Sequence, residues 1–242
     1  TRVRSSAASD VYKRQQWTLA RRILELGVPA AVEQLLISAA FTALTILIVR
    51  LGTNALAAQR VAGNAMSLSM LPGFGFSIAA TALVGQSLGA RRPREAVASA
   101  QEAVKWGVIW MSCAGVLFFF GGTWIMRAFS SDPQVITLGA QCLKAIGLIQ
   151  PAWAVGIVLS GALRGSGNTR FPLIVNAASI WAAVILGWVL IAILGHGLVF
   201  AWISFAIMAP VGTIAVVLRF RRGDWQHSRV RTTTAPEPIS VG

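Results

Sequence analysis

Six long apolar runs dominate this sequence of 242 residues. Each run is long enough to cross the hydrocarbon core of a bilayer as a helix, which takes about 20 residues. The runs cover residues 28–49, 65–88, 106–126, 145–163, 171–195 and 197–218. Little chain remains between them for a water-soluble domain. The sequence therefore predicts an all-α integral membrane protein, folded as a bundle of six transmembrane helices.

Charge is scarce in this chain and unevenly placed. Charged residues make up 12% of the sequence, against about 25% in typical soluble domains. The net charge of +13 would suggest a nucleic-acid partner in a soluble protein. Here the charges lie between the apolar runs or at the chain ends, where they set membrane topology. We therefore expect membrane lipid as a partner and no nucleic acid.

The arginines predict how the bundle is oriented, because cytoplasmic loops of membrane proteins carry an excess of Lys and Arg. One end of the predicted bundle is flanked by ten arginines: Arg21, Arg22, Arg91, Arg92, Arg94, Arg164, Arg170, Arg219, Arg221 and Arg222. Two lie in loops at the other end, Arg50 and Arg127, and Arg60 and Lys144 raise that count to four if they are included. We expect a multi-pass protein of the cell (inner) membrane with both termini in the cytoplasm.

The two ends of the chain differ from the six-helix unit, which we place at residues 16–225. Residues 1–15 lack an initiator Met, an apolar segment and helical periodicity, so we expect a non-native or disordered leader rather than a signal peptide. Residues 226–242 are polar and contain two prolines. This composition predicts a disordered cytoplasmic tail.

Glu33 is the one formal charge inside the six runs. An ionisable residue inside a membrane span is costly and by default indicates a functional site. Glu33 is therefore the candidate ion-coupling residue, able to exchange a proton or to bind a monovalent cation. Its position five residues into the first run corresponds to a depth of about 7–8 Å. That depth leaves open a structural alternative, an interfacial ion pair with Arg21 or Arg22.

Small polar side chains recur along the first run at the spacing of one helix face. Gln34, Ser38, Thr42 and Thr45 follow one another at intervals of four, four and three residues, so they form a polar stripe. Such a stripe lines a substrate cavity or makes hydrogen bonds between helices. The candidate cavity or substrate-binding residues are Gln34, Ser38, Thr42, Asn176 and Trp181. For Trp181 the alternative to cation–π binding of an organic cation is packing in the helix bundle.

Three alternate runs contain an internal proline: Pro72, Pro151 and Pro210. Proline removes a backbone donor and bends or breaks a helix. The three prolines are therefore candidate hinges of a moving transporter, although proline is also simply common in membrane helices.

The second and fourth runs both finish with two glycines four residues apart, Gly85 and Gly89 in one and Gly161 and Gly165 in the other. This spacing allows two helix backbones to approach closely.

Enzyme signatures are missing from the sequence: the two histidines, His196 and His227, lie outside the runs, and no zinc, nucleophile-elbow or phosphate-loop motif occurs. The two cysteines have no metal-ligand spacing. We expect no enzyme, no metal site and no cofactor.

Four stretches of this sequence together resemble one half of the multidrug and toxic compound extrusion (MATE) family. They are residues 51–58 (LGTNALAA), 71–76 (LPGFGF), 83–90 (LVGQSLGA) and 163–172 (LRGSGNTRFP). The resemblance runs from about residue 24 to 225, and the order of the motifs is similar to the C-terminal half. In many relatives an acid stands one turn after Glu33, at the position of Ile37 here.

What the resemblance implies is one six-helix lobe of a two-lobe secondary active antiporter. Such a protein exports organic cations, drugs or metabolites, driven by a proton or sodium gradient, by rocking of one lobe against the other. The implied partners are a small-molecule substrate, expected to be a cation, and a missing N-terminal lobe of the same transporter. Two alternatives remain open: a flippase for lipid-linked precursors of the same superfamily, and a non-transporting six-helix membrane subunit.

Overall fold

Short connections join six long helices in the computed structural model, which describes the backbone of residues 2–193, 195 and 197–227 and the side chains of residue 24 and of those from 27 onward in these ranges. The helices are α1 (Arg2–Val49), α2 (Thr53–Gly89), α3 (Pro93–Phe129), α4 (Pro133–Gly165), α5 (Arg170–Trp188) and α6 (Val199–Arg222). A π-helical turn, Val189–Ile193, extends α5, and a 3₁₀ turn, Asp224–His227, follows α6. All six are long and apolar enough to cross a membrane, which confirms the predicted bundle.

Local sequence explains where these helices begin and end. Pro93 and Pro133 stand at the first helical position of α3 and α4, where the missing N–H has no helical partner to lose. Asp132 caps α4, because its Oδ1 accepts a 2.7 Å hydrogen bond from the backbone N of Gln134. Gly223 ends α6 with a φ of +75°, a left-handed conformation that favours glycine.

The helices are longer than the apolar runs that predicted them. Helices α2 and α3 each have 37 residues, or about 55 Å at 1.5 Å per residue, against a hydrocarbon core of about 30 Å. Arg60 and Lys144, which the sequence placed just before the second and fourth spans, therefore lie inside α2 and α4. Hydropathy detects only the apolar part of a helix that continues into the headgroups or water.

The N-terminal segment also differs from its prediction. Backbone is helical from Arg2 onward, whereas a disordered leader was expected for residues 1–15. No glycine or proline precedes Gly27, and nothing in the segment therefore stops α1 from extending backwards. The alternative, that the segment is not native, stays a prediction. Of the predicted tail, residues 226 and 227 belong to the 3₁₀ turn, and residues 228–242 lie outside the described residues.

Helix α4 is the centre of the bundle. It packs against α2, α3 and α6, while α1 packs mainly against α5. The predicted small-residue spacing has a direct structural role: a Cβ added at Gly161 would clash with the carbonyl of Ser77, and one added at Gly165 with that of Thr81. The Thr81 hydroxyl donates a 2.8 Å hydrogen bond to the carbonyl of Gly161. Helices α2 and α4 thus touch backbone to backbone, as the Gly161–Gly165 spacing predicted.

The end of the bundle that carries the arginine-rich connections, which we name the arginine-rich end, is closed by the residues after α6. Trp225 Nε1 donates a 2.8 Å hydrogen bond to the carbonyl of Phe220, and the two rings stack at 4.8 Å. Arg219 Nη1 pairs with Asp224 at 2.9 Å. Trp225 is buried in the core cluster of this end. The packed unit therefore continues past the last transmembrane helix, close to the predicted boundary at 225.

Candidate functional site

Glu33 lies at the centre of a polar network near the arginine-rich end. Its Oε1 accepts a 2.6 Å hydrogen bond from Arg164 Nη2 and a 2.7 Å bond from Asn176 Nδ2. The Asn176 amide also reaches Ser160 Oγ at 3.4 Å. Glu33 itself is buried. Three helices, α1, α4 and α5, are joined through this one carboxylate.

Sequence reasoning singled out Glu33 but could not name its partner. The side chains of Arg21 and Arg22 lie outside the described residues, and the partner that the structure gives to Glu33 is Arg164. The sequence did contain a signal for this pair. Arg164 lies one residue before α4 ends at Gly165, at the same arginine-rich end of the bundle as Glu33. Pairing with a guanidinium offsets the cost of burying the carboxylate. A proton or a sodium ion that binds Glu33 would have to compete with this pair.

The polar stripe of α1 is exposed along much of its length. Gln34, Ser38 and Thr42 are exposed, and Thr45 is half-buried. Thr42 Oγ1 donates to the carbonyl of Ser38 at 2.9 Å, and Thr45 Oγ1 to that of Phe41 at 2.8 Å. Their hydroxyl protons are thus used within α1, while the hydroxyl oxygens can still accept a hydrogen bond from a ligand or another helix.

A second polar stripe, on α2, was not identified from the sequence. Arg60, Asn64 and Ser67 are exposed and follow one another at intervals of four and three residues, which places them on one helix face. This spacing was readable beforehand, but Arg60 and Asn64 precede residue 65, where the second span was started. Together α1 and α2 present one polar face, which we define as Gln34, Ser38, Thr42, Arg60, Asn64 and Ser67.

A cavity of about 280 Å³ opens beside this polar face between α1, α2 and α6. Its lining is Phe41, Thr45, Leu56, Gln59, Arg60, Gly63, Asn64, Met66, Ser67 and Trp202. Trp202 Nε1 donates a 2.7 Å hydrogen bond to Gln59 Oε1 and forms one buried wall. The cavity combines an apolar floor with polar groups on one side, which is the usual composition of a small-molecule pocket.

The lining of this cavity contains none of the five predicted cavity residues, Gln34, Ser38, Thr42, Asn176 and Trp181. Asn176 is bound to Glu33 as described above. Trp181 packs against the core cluster that contains Trp202, and its buried Nε1 has no hydrogen-bond partner in the structure. In the structure Trp181 is a packing residue, the alternative that the sequence had left open.

The predicted hinge prolines all lie inside continuous helices. Pro72 is within α2, Pro151 within α4 and Pro210 within α6. Pro29 is a fourth internal proline, which the sequence did not reveal because the first span was started at residue 28. Each proline leaves the carbonyl four residues earlier without its helical donor.

Side chains from neighbouring helices supply hydrogen bonds one turn before Pro72. Trp110 Nε1 of α3 donates to the carbonyl of Ser69 at 3.3 Å, and Gln150 Nε2 of α4 donates to Ser69 Oγ at 2.6 Å. Such contacts are how membrane proteins tolerate broken helices. Gln150 Oε1 is buried without a partner.

No group of three or more metal-ligating side chains occurs among the residues that the structure describes.

Comparison with known proteins decides the family. The MatE family model matches residues 29–189, more than half of the chain. The chain belongs to the MatE family. The resemblance that the sequence motifs indicated is thereby confirmed, and the multi-pass membrane architecture agrees with it.

The curated relatives of this MatE chain are about twice its length. A probable multidrug resistance protein NorM from Thermotoga maritima is 31% identical over 90% of this chain, which spans 47% of that protein. A NorM from Idiomarina loihiensis is 27% identical over 89% of the chain and 48% of its own length. A multidrug resistance protein MdtK from Yersinia pestis is 27% identical over 85% of the chain and 46% of its length. The chain therefore spans about half the length of the curated relatives it matches.

Solved structures show the same fold. A MATE protein crystallised in a straight conformation aligns with a TM-score of 0.79 at 20% identity, over 85% of this chain and 46% of that one. An outward-facing multidrug resistance MATE transporter of the MOP superfamily aligns with a TM-score of 0.77 at 17% identity, over 84% and 46%. A MOP superfamily transporter from Pyrococcus furiosus gives the same TM-score and identity. The MatE chain is thus one six-helix half of the fold seen in these proteins.

Proposed function

We propose that this chain is one lobe of a secondary active efflux transporter for drugs, organic cations or metabolites. The observation that carries the proposal is the combination of a half-length match to multidrug resistance relatives with an exposed polar face on α1 and α2. The second lobe of the same transporter is the proposed partner of that face. Members of this family are transporters, not enzymes.

The polar face supports an aqueous or protein-lined environment rather than lipid. Gln34, Ser38 and Thr42 are exposed within an apolar span, where polar groups that meet hydrocarbon are costly. By contrast, large apolar side chains such as Phe120 on α3 and Leu148 on α4 are exposed elsewhere on the bundle. A cavity between two lobes gives the polar face water and substrate, and leaves the apolar surfaces to the membrane.

We propose that a proton or sodium gradient drives the efflux, and that Glu33 is the coupling candidate in this lobe. Binding of the ion at Glu33 would compete with Arg164, so the contact of α1 with α4 and α5 would change with ion occupancy. We further propose the inner membrane as the location, with the arginine-rich end in the cytoplasm. The internal prolines, Pro72, Pro151 and Pro210, are proposed hinges of the rocking motion.

The test of transport uses the polar face itself. The complete transporter that contains this chain is reconstituted in liposomes, and gradient-driven movement of the cationic dye ethidium is measured. Ser38→Leu and Thr42→Leu should each lower efflux at least several-fold, because an apolar side chain replaces a polar wall. Cys113→Leu is the matched control, since Cys113 is an exposed small side chain on α3 outside the face. Equal efflux in all three variants would contradict the proposed cavity.

The test of coupling is Glu33→Gln in the same liposomes, normalised to folded protein. We expect efflux to lose its dependence on pH or sodium while the Asn176 contact is kept. Unchanged coupling would assign Glu33 to a structural role and the ion site to the other lobe. A flippase would instead move a lipid-linked pyrophosphate and not the dye, and a non-transporting subunit would move neither.

A further inference from the structure

The cavity beside the polar face contains one cation and no acid among the described residues that line it. Arg60 is exposed on its wall and has no ion pair or hydrogen bond with the side chains that the structure describes. A guanidinium carries five donors in a planar fork that matches a carboxylate. Arg60 is therefore available to an anionic group that enters the cavity.

Acidic side chains that the structure describes are all engaged elsewhere. Their contacts are Glu33 with Arg164, Glu95 with Arg92, Glu102 with Lys105, Asp224 with Arg219, and Asp132 with the start of α4. None of them is left to pair with Arg60. The positive charge at the cavity is thus not neutralised by any of these five acids.

Gln59 adds a second, oriented donor. It is 8% exposed, and its Oε1 is occupied by Trp202 Nε1 at 2.7 Å. Because the indole can only donate, it fixes which atom of the amide is the oxygen. The Nε2 group, with its two donors, makes no hydrogen bond to the residues that the structure describes. Asn64 contributes another amide one turn beyond Arg60, so the polar side of the cavity is rich in donors.

The rest of the lining is suited to a flat apolar body. Phe41, Leu56, Met66 and Trp202 line the same cavity. A volume of about 280 Å³ lies just below the usual range for ligand pockets, roughly 300–1,000 Å³. It accommodates one aromatic group and its charged substituent better than a large ligand.

We propose that this cavity binds the carboxylate of an amphiphilic aromatic acid, with Arg60 as its anchor and Gln59 and Asn64 as further donors. The ring of the acid lies against Phe41 and Leu56, the two half-buried large apolar side chains of the lining. This assignment deepens the proposed function by naming a substrate class, and it rests on that function only for transport. Binding at the cavity is tested separately from efflux.

The experiment measures binding to the complete transporter in lipid nanodiscs, with empty nanodiscs as the background. The probes are 9-anthracenecarboxylate and its uncharged analogue 9-anthracenecarboxamide, both followed by fluorescence. Arg60→Gln should weaken carboxylate binding about tenfold or more, because a charge-assisted bidentate contact is lost, and should leave amide binding nearly unchanged. Arg60→Lys should fall between the two, since it keeps the charge and loses the fork.

Arg127→Gln is the matched control. It removes one exposed arginine from the same end of the bundle, where Arg127 lies 5.9 Å from the ring of Trp124, and it should bind both probes like the unmodified protein. Wild-type carboxylate affinity in Arg60→Gln would overturn the assignment. So would an equal loss of both probes in Arg60→Gln, or an equal loss of carboxylate binding in Arg127→Gln.

Efflux separates this inference from the proposed function. If the carboxylate binds in an Arg60-dependent way but no dye shows gradient-driven efflux, the transport proposal is contradicted and the binding site is supported. Efflux of ethidium without carboxylate binding would support transport and contradict the binding site.

Discussion

Glu33 Oε1 on α1 accepts a 2.6 Å hydrogen bond from Arg164 Nη2, at the end of α4. Residues 131 positions apart in sequence are thereby joined at the arginine-rich end. The Glu33 side chain is 6% exposed and that of Arg164 30% exposed. The pair is intermediate between a surface salt bridge and a fully buried one, and it fixes α1 against the core helix of the lobe.

The Glu33–Arg164 pair should contribute measurably to stability. We expect Glu33→Gln and Arg164→Gln to show a coupling energy of about 1–3 kcal/mol in a double-mutant cycle, between the values for exposed pairs and buried pairs. The measurement is unfolding in mixed detergent micelles. The exposed pair of Glu102 and Lys105 is the control and should give under about 0.5 kcal/mol. If the coupling energy of Glu33 and Arg164 were as small as that of the control pair, this contact would not stabilise the packing of α1 against α4.

Gly165 should not tolerate a side chain. In Gly165→Ala the new Cβ would meet the Thr81 carbonyl, so α2 and α4 must separate, at a cost of about 1–3 kcal/mol for overpacking. Gly89→Ala is the control from the other small-xxx-small pair, because nothing lies within 4 Å of a Cβ there. Thermal unfolding of the two variants should differ clearly. If both were equally stable, α2 and α4 would not be packed backbone to backbone.

The arginine-rich end should face the cytoplasm. In a Cys113→Ala background, a single cysteine at Ala90 should react with an impermeant maleimide only after the cells are opened, whereas one at Leu51 should react in intact cells. Cys142 is buried and should stay silent. Labelling of Ala90→Cys from outside would reverse the orientation.

Pro72 should be needed for movement more than for folding. Pro72→Ala restores a helical donor and should keep or raise the midpoint of thermal unfolding, while lowering efflux several-fold in the complete transporter. Pro93→Ala is the control, since Pro93 stands at the first position of α3 and bends nothing. Full efflux in Pro72→Ala would remove this proline from the set of hinges.

The apolar runs predicted the bundle because one physical quantity, hydropathy over about 20 residues, governs whether a helix crosses a membrane. The close approach at Gly161 and Gly165 was predictable for the same reason, since only small residues allow it. The helix ends were not, because polar helix formers outside the bilayer do not register as apolar. That is why Arg60 was placed just before the second span and its stripe with Asn64 was missed.

Glu33 illustrates the limit of single-sequence reasoning about the site. Its unusual placement was visible in the sequence, whereas its partner depends on tertiary packing between α1, α4 and α5. Asn176 was identified as a polar residue of interest, but its contact with Glu33 follows only from the fold. Trp181 could not be assigned to a cavity or to the core without knowing which face of α5 is covered.

The most direct test of the central claim, that this chain is one lobe of a two-lobe transporter, is gradient-driven efflux from liposomes that contain the 242-residue chain alone or together with a second six-helix lobe. Ethidium and 9-anthracenecarboxylate are the two transported probes. We expect no efflux of either from the monomeric chain, because it supplies one wall of the cavity, and gradient-dependent efflux when both lobes are present. Efflux by the monomeric chain alone would contradict the account.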